Sequence, residues 1–200
     1  ALIGHMQHNA RDPNRDHKHG RIYRITYPSR PLVKPAKIYG ASIEELLENL
    51  TVHELRTRYR TRRELRGRDP VLVANAITSW VKDKEEMYQL EALWVTWGVG
   101  KLDQALLKKL LQSTDHRIRS AALNVLRFNY SLIPNAETLL EKAAMDKHGR
   151  VRMTAAVTAS YLPSKKGSEI LKKTEQSEIN KIYQQTFDFA SKVLNREPAD

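Results

Sequence analysis

Arginine is the residue type whose number and spacing in this sequence most clearly predict a chemical role. Residues 56–68, "RTRYRTRRELRGR", hold seven Arg and a single Glu. The planar guanidinium pairs bidentately with carboxylates, so this run predicts a docking surface for an acidic partner. On a helix that starts near Glu54, Arg56, Arg60 and Arg63 follow the i, i+4, i+7 spacing and form one stripe.

A second face of the same helix carries Arg62 and Arg66, beside Tyr59. So much positive charge on one helix is repulsive, and two interpretations offset it. In the first, the arginines form a solvated face that is relieved by Glu64, Asp69 and the glutamates of the preceding helix.

In the second interpretation, the stripe docks onto carboxylates outside the helix. These would be Asp12 or Asp16 of the amino-terminal arm, or acidic groups of another domain. Both interpretations stay open at this point.

Six side chains that could bind a metal lie close together near the amino terminus: His5, His8, Asp12, Asp16, His17 and His19. Their spacing matches no standard helical or ribbon zinc site, so a solvated or interface loop fits better. We expect no metal and no cofactor here. No Ser-His-Asp set or Gly-rich phosphate loop is present, so we expect no catalytic residues and no enzymatic activity.

Three tryptophans, Trp80, Trp94 and Trp97, could form a stacking platform for nucleic-acid bases. Aromatic residues at helical spacing more often belong to the core, and we favour that interpretation.

The net charge of +11 suggests nucleic-acid binding, but the positive charge is unevenly distributed along the chain. Residues 1–40 carry eight Lys or Arg against two Asp, a net of +6. From residue 71 onward there are 19 basic and 15 acidic residues, a net of only +4. The basicity is therefore a feature of the first third of the chain.

The absence of cysteine excludes disulfides, thiol catalysis and Cys-ligated zinc within these residues, and no apolar run is long enough for a membrane span.

Ten helices are predicted from residue 42 onward. Ser42 with Glu45 and Thr51 with Glu54 have capping-box spacing, and Asp69 before Pro70 predicts a third helix start. The remaining helices are predicted at 85–98, 102–112, 115–129, 135–145, 148–161, 164–174 and 178–194. The segment "GRIYRITY" (20–27) instead predicts a β-strand, with "ALIGHM" (1–6) as a candidate partner in a short hairpin.

The second helices of successive pairs share a period. The equivalent residues of these helices are Arg60, Gln89, Arg119, Arg152 and Gln184. The spacings between consecutive members are 29, 30, 33 and 32 residues. A helix-pair period of this length predicts an α-solenoid, because no single pair can bury its apolar face alone.

Two of these segments, "DHRIRSAALNVL" (115–126) and "DKHGRVRMTAAVTA" (146–159), resemble the second helix of HEAT repeats. The resemblance implies an all-α, HEAT/armadillo-like superhelix of about five helix pairs, with an amino-terminal hairpin or extended arm. It also implies close helix packing at two small residues, and a ladder of arginines that hydrogen-bond to turn aspartates. The residues concerned are Ala122 and Ala155 for the packing and Asp115, Arg119, Asp146 and Arg152 for the ladder.

Residues 4–32, with "ASIEELLENL" and "YRTRRELR", resemble an internal stretch of large bacterial proteins described as membrane-bound dehydrogenases. Those proteins combine a β-propeller related to quinoprotein sugar dehydrogenases, a HEAT section and commonly a cytochrome c-type haem domain. The resemblance implies that residues 1–40 are the last strands of a propeller and that 41–200 are HEAT repeats.

The function implied is a non-catalytic scaffold that positions the propeller and the haem domain, in a periplasmic or extracellular setting. Its partners would be those domains or other proteins, and neither a membrane nor a nucleic acid. The alternative is a nucleic-acid-binding groove like that of HEAT-like DNA glycosylases. We expect no sustained groove of that kind, because Gln89, Glu91, Gln184 and Asp188 interrupt the basic positions.

Overall fold

The computed structural model describes residues 18–20, 28–29, 31, 33–175 and 180–195. The chain divides into two units, Ala1–Pro35 and Ala36–Asp200, whereas the sequence suggested a division at residue 40. The predicted strand, apart from Gly20, lies outside the described residues, as does its proposed partner at 1–6. The helices of the described residues all belong to the second unit.

The described residues form ten α-helices and contain no β-strand, so the all-α prediction is confirmed. A 3-10 turn, Tyr130–Leu132, lies between the sixth and seventh helices. In chain order the helices are α1 Ile43–Asn49, α2 Leu55–Arg66, α3 Pro70–Trp80, α4 Glu86–Gly98, α5 Gln104–Leu110, α6 His116–Phe128, α7 Ala136–Ala144, α8 Gly149–Ala159, α9 Ser164–Lys173 and α10 Lys181–Leu194. None of these helices combines the length and the apolar character that a membrane span requires.

Two of the three predicted helix starts are confirmed by their capping geometry. The Ser42 hydroxyl accepts from the Glu45 N–H at 3.1 Å, and the Glu45 carboxylate accepts from the Ser42 N–H at 2.8 Å. Asp69 accepts from two backbone N–H groups at the start of α3, where Pro70 is the first helical residue. Each cap satisfies donors that have no partner inside the helix.

The capping box predicted at Thr51 is wrong. Helix α2 begins at Leu55 after Glu54, and no side chain caps it. Thr51 lies in the preceding turn, where its hydroxyl donates to the Glu48 carbonyl at 2.7 Å. The spacing matched a capping box, but the hydroxyl is used at the end of α1 instead.

The helices contact each other as successive pairs. The two helices of each pair, from α1 with α2 to α9 with α10, pack together. The even-numbered helices also pack in series: α2 on α4, α4 on α6, α6 on α8 and α8 on α10. The core is therefore a continuous row of side chains along these contacts, with Leu93, Leu123 and Ala155 fully buried.

Small residues lie at the helix contacts that the sequence singled out. Ala122 of α6 and Ala155 of α8 are both 0% exposed, as expected. Helices α6 and α8 pack directly against each other. A methyl group at these positions leaves room for the neighbouring backbone to approach.

Replacing Ala122 with Leu is expected to lower the free energy of unfolding by about 1–3 kcal/mol, because a larger side chain overpacks a filled contact. Ala105→Leu is the matched control, since Ala105 is exposed on α5. Urea unfolding of both variants measures the difference. Equal stability of the two variants would show that α6 does not pack through Ala122.

Candidate interaction surfaces

Helix α2 divides its arginines between the protein interior and the solvent. Arg58 and Arg62 both pair with Glu91 of α4, whose side chain is 2% exposed. Arg58 Nη1 lies 3.3 Å from Glu91 Oε1, and Arg62 Nη1 donates to Glu91 Oε2. A buried carboxylate needs such pairing, because leaving it alone in a low-dielectric interior is strongly unfavourable. These two arginines therefore hold α2 against α4.

The sequence placed Arg62 among the interface residues, whereas the structure pairs it within the chain. Its guanidinium also lies 5.3 Å from the centre of the Trp94 ring. Neither Arg58 nor the pairing role of Glu91 was predicted from the sequence. The helix-pair period could have indicated this ion pair. Arg62 and Glu91 are 29 residues apart, the same spacing as Arg60 to Gln89.

Arg56, Arg60 and Arg63 remain exposed on α2. Among the described residues none of the three has a carboxylate partner, and Arg63 lies 5.9 Å from the centre of the Tyr59 ring. Arg66 is also exposed, and its side chain packs against Gly98 of α4. A Cβ atom at position 98 would lie only 2.8 Å from Arg66 Nε. We call Arg56, Arg60 and Arg63 the arginine stripe.

Four carboxylates near the arginine stripe have other partners. Glu64 pairs with Arg68 at 2.8 Å, and Asp69 caps α3. Glu45 completes the Ser42 capping box, and Glu48 accepts from the Trp80 indole N–H at 2.6 Å. Asp12 and Asp16, the predicted partners in the arm, lie outside the described residues. Within the described part of the chain, the stripe therefore faces solvent without neutralisation.

Two arginines of the predicted ladder occupy equivalent places in consecutive helix pairs. Arg119 Nη1 donates to the Ser113 carbonyl at 2.8 Å, and Arg152 Nη1 donates to the Asp146 carbonyl at 2.8 Å. Each arginine thus reaches back six residues and satisfies a carbonyl in the turn before its own helix. Both side chains are buried, with Arg119 7% and Arg152 6% exposed.

Arg119 also reaches forward to the next helix pair. Its Nε and Nη2 atoms donate to the two carboxylate oxygens of Asp146, both at 2.7 Å. Burial alone would raise the pKa of Asp146, but hydrogen bonds from Arg119 and the His148 N–H outweigh it and hold the pKa below its usual value. This bidentate pair joins α6 to the turn between α7 and α8.

Asp115 has a different role from Asp146. It caps α6 by accepting from the Arg117 N–H, and it does not pair with Arg119. Hydrogen bonds from the Arg117 guanidinium and N–H lower the pKa of Asp115 to about 2. Of the predicted ladder, the structure therefore brings together Arg119 and Asp146 through side chains, and Arg152 and Asp146 through a carbonyl.

His116 and His148 stack on each other at the starts of α6 and α8. No sequence motif had singled out these two histidines. The rings of His116 and His148 lie 3.5 Å apart at an angle of 8°. His148 Nδ1 accepts from the Arg150 N–H at 3.2 Å, so it serves as the cap of α8 in its neutral form. Burial and the neighbouring His116 ring lower the pKa of His148.

The tryptophans pack against the core, as favoured from the sequence. Trp80, Trp94 and Trp97 are partly buried against it. Trp97 stacks on Phe128 with ring centres 5.5 Å apart. Of the predicted metal-binding cluster, His5, His8, Asp12, Asp16 and His17 lie outside the described residues, and the residues that were described contain no group of three potential metal ligands.

No family model and no curated protein matches this chain. Among solved structures it is similar to an engineered protein from the Northeast Structural Genomics Consortium, with 17% identity. The similarity covers 76% of this chain and 78% of that one, with a TM-score of 0.42.

Replacing Glu91 with Gln is expected to lower the free energy of unfolding by about 3 kcal/mol or more, because two partly buried arginines lose their carboxylate. Glu137→Gln is the control, since Glu137 pairs with Lys166 at the surface, where an ion pair contributes about 0–1 kcal/mol. Urea unfolding measures both. Similar small losses in the two variants would show that Glu91 does not hold α2 to α4.

Proposed function

We propose that this chain is a non-catalytic interaction scaffold, built as a HEAT/armadillo-like superhelix of about five helix pairs. Three observations support the architecture: the serial packing of the even-numbered helices, the buried Ala122 and Ala155, and the repeated contact of Arg119 and Arg152 with a preceding turn. Stacked helix pairs present extended surfaces, and those surfaces suit binding rather than chemistry.

The arginine stripe is the observation that carries the proposal. Glu91 of α4 pairs with both Arg58 and Arg62 of α2, whereas Arg56, Arg60 and Arg63 stay exposed. Four of the neighbouring carboxylates already have other partners. A row of guanidinium groups at helical spacing fits a row of carboxylates on a second protein surface.

The partner that we propose is an acidic face of another domain in a longer chain. The resemblance of residues 4–32 to dehydrogenase-type proteins supports a β-propeller on one side and a haem domain on the other. In that arrangement the scaffold needs no cofactor of its own, and the setting would be periplasmic or extracellular. The stripe would fix the orientation of the propeller on the first helix pair.

The nucleic-acid alternative has less support. A sustained basic channel requires cations on successive helices, but Glu91 lies between them on α4 and offsets one of the two charges of Arg58 and Arg62. Beyond α2, four basic side chains line one local groove between α6, α8 and α10: Arg127, Lys147, Arg150 and Arg152.

The test replaces Arg56, Arg60 and Arg63 together with Gln, in this chain and in the longer protein that the proposal requires. Because the three side chains are exposed, we expect the stability of the isolated chain to change by about 0.5 kcal/mol or less. In the longer protein we expect faster limited proteolysis at the junction before residue 36, because the docked domain loosens.

Three exposed lysines away from α2, Lys101, Lys165 and Lys172, provide a control of equal charge when replaced by Gln. This control should leave the rate of cleavage at the junction unchanged. If instead the stripe variant unfolds the isolated chain and leaves cleavage of the longer protein unaltered, the arginines are structural. A reading frame that ends at the boundaries of this chain would also contradict the proposal.

A further inference from the structure

A groove lies between α6, α8 and α10, at the opposite end of the helical array from the arginine stripe. Its volume is about 990 Å³. Four cationic side chains line it: Arg127, Lys147, Arg150 and Arg152. Its described lining contains no Asp or Glu. We call this the α8 groove.

Arg152 is the unusual residue of the α8 groove. It is 6% exposed, and its Nε atom is buried without a hydrogen-bond partner among the described residues. A buried, unpaired donor of a charged group is unfavourable, so such atoms usually have partners. Arg127 Nε, on the same groove, is also buried and has no hydrogen-bond partner in the described part of the chain.

The preceding helix pair shows which chemical group binds the Nε and Nη2 side of an arginine at this position. Arg119 and Arg152 make the same backward contact to a turn carbonyl through Nη1. In Arg119 the remaining edge, Nε and Nη2, holds both oxygens of the Asp146 carboxylate at 2.7 Å. In Arg152 the Nε atom of that edge has no such carboxylate within residues 33–175 and 180–195.

We propose that the α8 groove binds an acidic peptide segment, with one Asp or Glu carboxylate seated on Arg152 as Asp146 is seated on Arg119. The proposal rests on the function proposed above, an interaction scaffold, but it uses a separate surface. Lys147 and Arg150 are exposed at the groove and would pair with further carboxylates of the segment. Asn124 and Asn180 supply neutral amides that can hydrogen-bond to the peptide backbone.

The lining favours a peptide over single-stranded nucleic acid. Bases need aromatic rings with open faces on which to stack. Of the rings in the described lining, Tyr183 is 2% exposed, and His148 is already stacked on His116. Phe128, which is 61% exposed, does not line the groove.

The size of the groove sets the length of the segment. Three packed helices with axes about 8–10 Å apart span roughly 16–20 Å. An extended chain advances about 3.3 Å per residue, so about five or six residues fill that span. An octapeptide is therefore a sufficient probe.

The test measures binding of fluorescein-labelled octaglutamate by fluorescence polarisation, with octaglutamine and an eight-nucleotide oligothymidine as comparison probes. We expect octaglutamate to bind and octaglutamine not to bind. Arg152→Gln should weaken binding about tenfold. The double variant Lys147→Gln with Arg150→Gln, at two exposed positions, should weaken it severalfold even if Arg152→Gln fails to fold.

The matched control is Lys165→Gln with Lys172→Gln, two exposed lysines of α9 that do not line the groove. It should retain binding within twofold. The same loss in this control, or no octaglutamate binding by the wild-type chain, would overturn the proposal. Tighter binding of oligothymidine than of octaglutamate would assign the groove to nucleic acid instead. Octaglutamate binding is also measured in the variant that lacks the arginine stripe, where the α8-groove substitutions should still weaken binding, so the two proposals can fail separately.

Discussion

The ion pair between Arg119 and Asp146 is the contact on which the arrangement of consecutive helix pairs depends most. It joins α6 to the turn that precedes α8, and its two side chains are only 8% and 13% exposed. Removing two charges from water is costly, and the bidentate geometry together with the backbone partners of both groups offsets that cost. Apolar packing alone would allow α8 to slide along α6, whereas this pair has one geometry. It therefore fixes the register between neighbouring pairs.

The same device appears in a different form near the first helices. Glu91 of α4 binds Arg58 and Arg62 of α2 across the contact between the first two even-numbered helices. In both places one carboxylate and a neighbouring arginine, about one repeat apart in sequence, lie at the helix contact. The arginines that remain after these pairings define the two surfaces proposed for binding: the arginine stripe on α2 and Arg152 in the α8 groove.

The helices could be predicted from the sequence because their signals are local. Capping residues such as Ser42 and Asp69 act on the next few backbone N–H groups, and the apolar period of the helices repeats within one turn. The helix start predicted at Thr51 was wrong because a threonine hydroxyl can bond to the backbone either three residues forward or three residues back. In the structure it donates to the Glu48 carbonyl, three residues back. The small Ala122 and Ala155 were predicted through the repeat, which places equivalent residues at equivalent contacts.

The side-chain pairings were harder to predict because each joins residues about 30 positions apart. A helical wheel of α2 places Arg62 on a charged face, but it does not show that Glu91 lies opposite. The arginine stripe was correctly placed at the surface, since its exposure follows from its own helix. The Nε of Arg152, unpartnered among the described residues, had no sequence signal, because Arg119 and Arg152 look alike until their forward partners are compared.

A double-mutant cycle between Arg119 and Asp146 tests most directly whether this pair couples consecutive helix pairs. The cycle uses Arg119→Gln, Asp146→Asn and the double variant, with free energies of unfolding from urea titrations. Each single change is expected to cost about 3 kcal/mol or more, because it leaves the other charge buried without its partner. The double variant should cost less than the sum by about 1–3 kcal/mol. Additive losses, within about 0.5 kcal/mol, would contradict the account, because the two residues would then act independently.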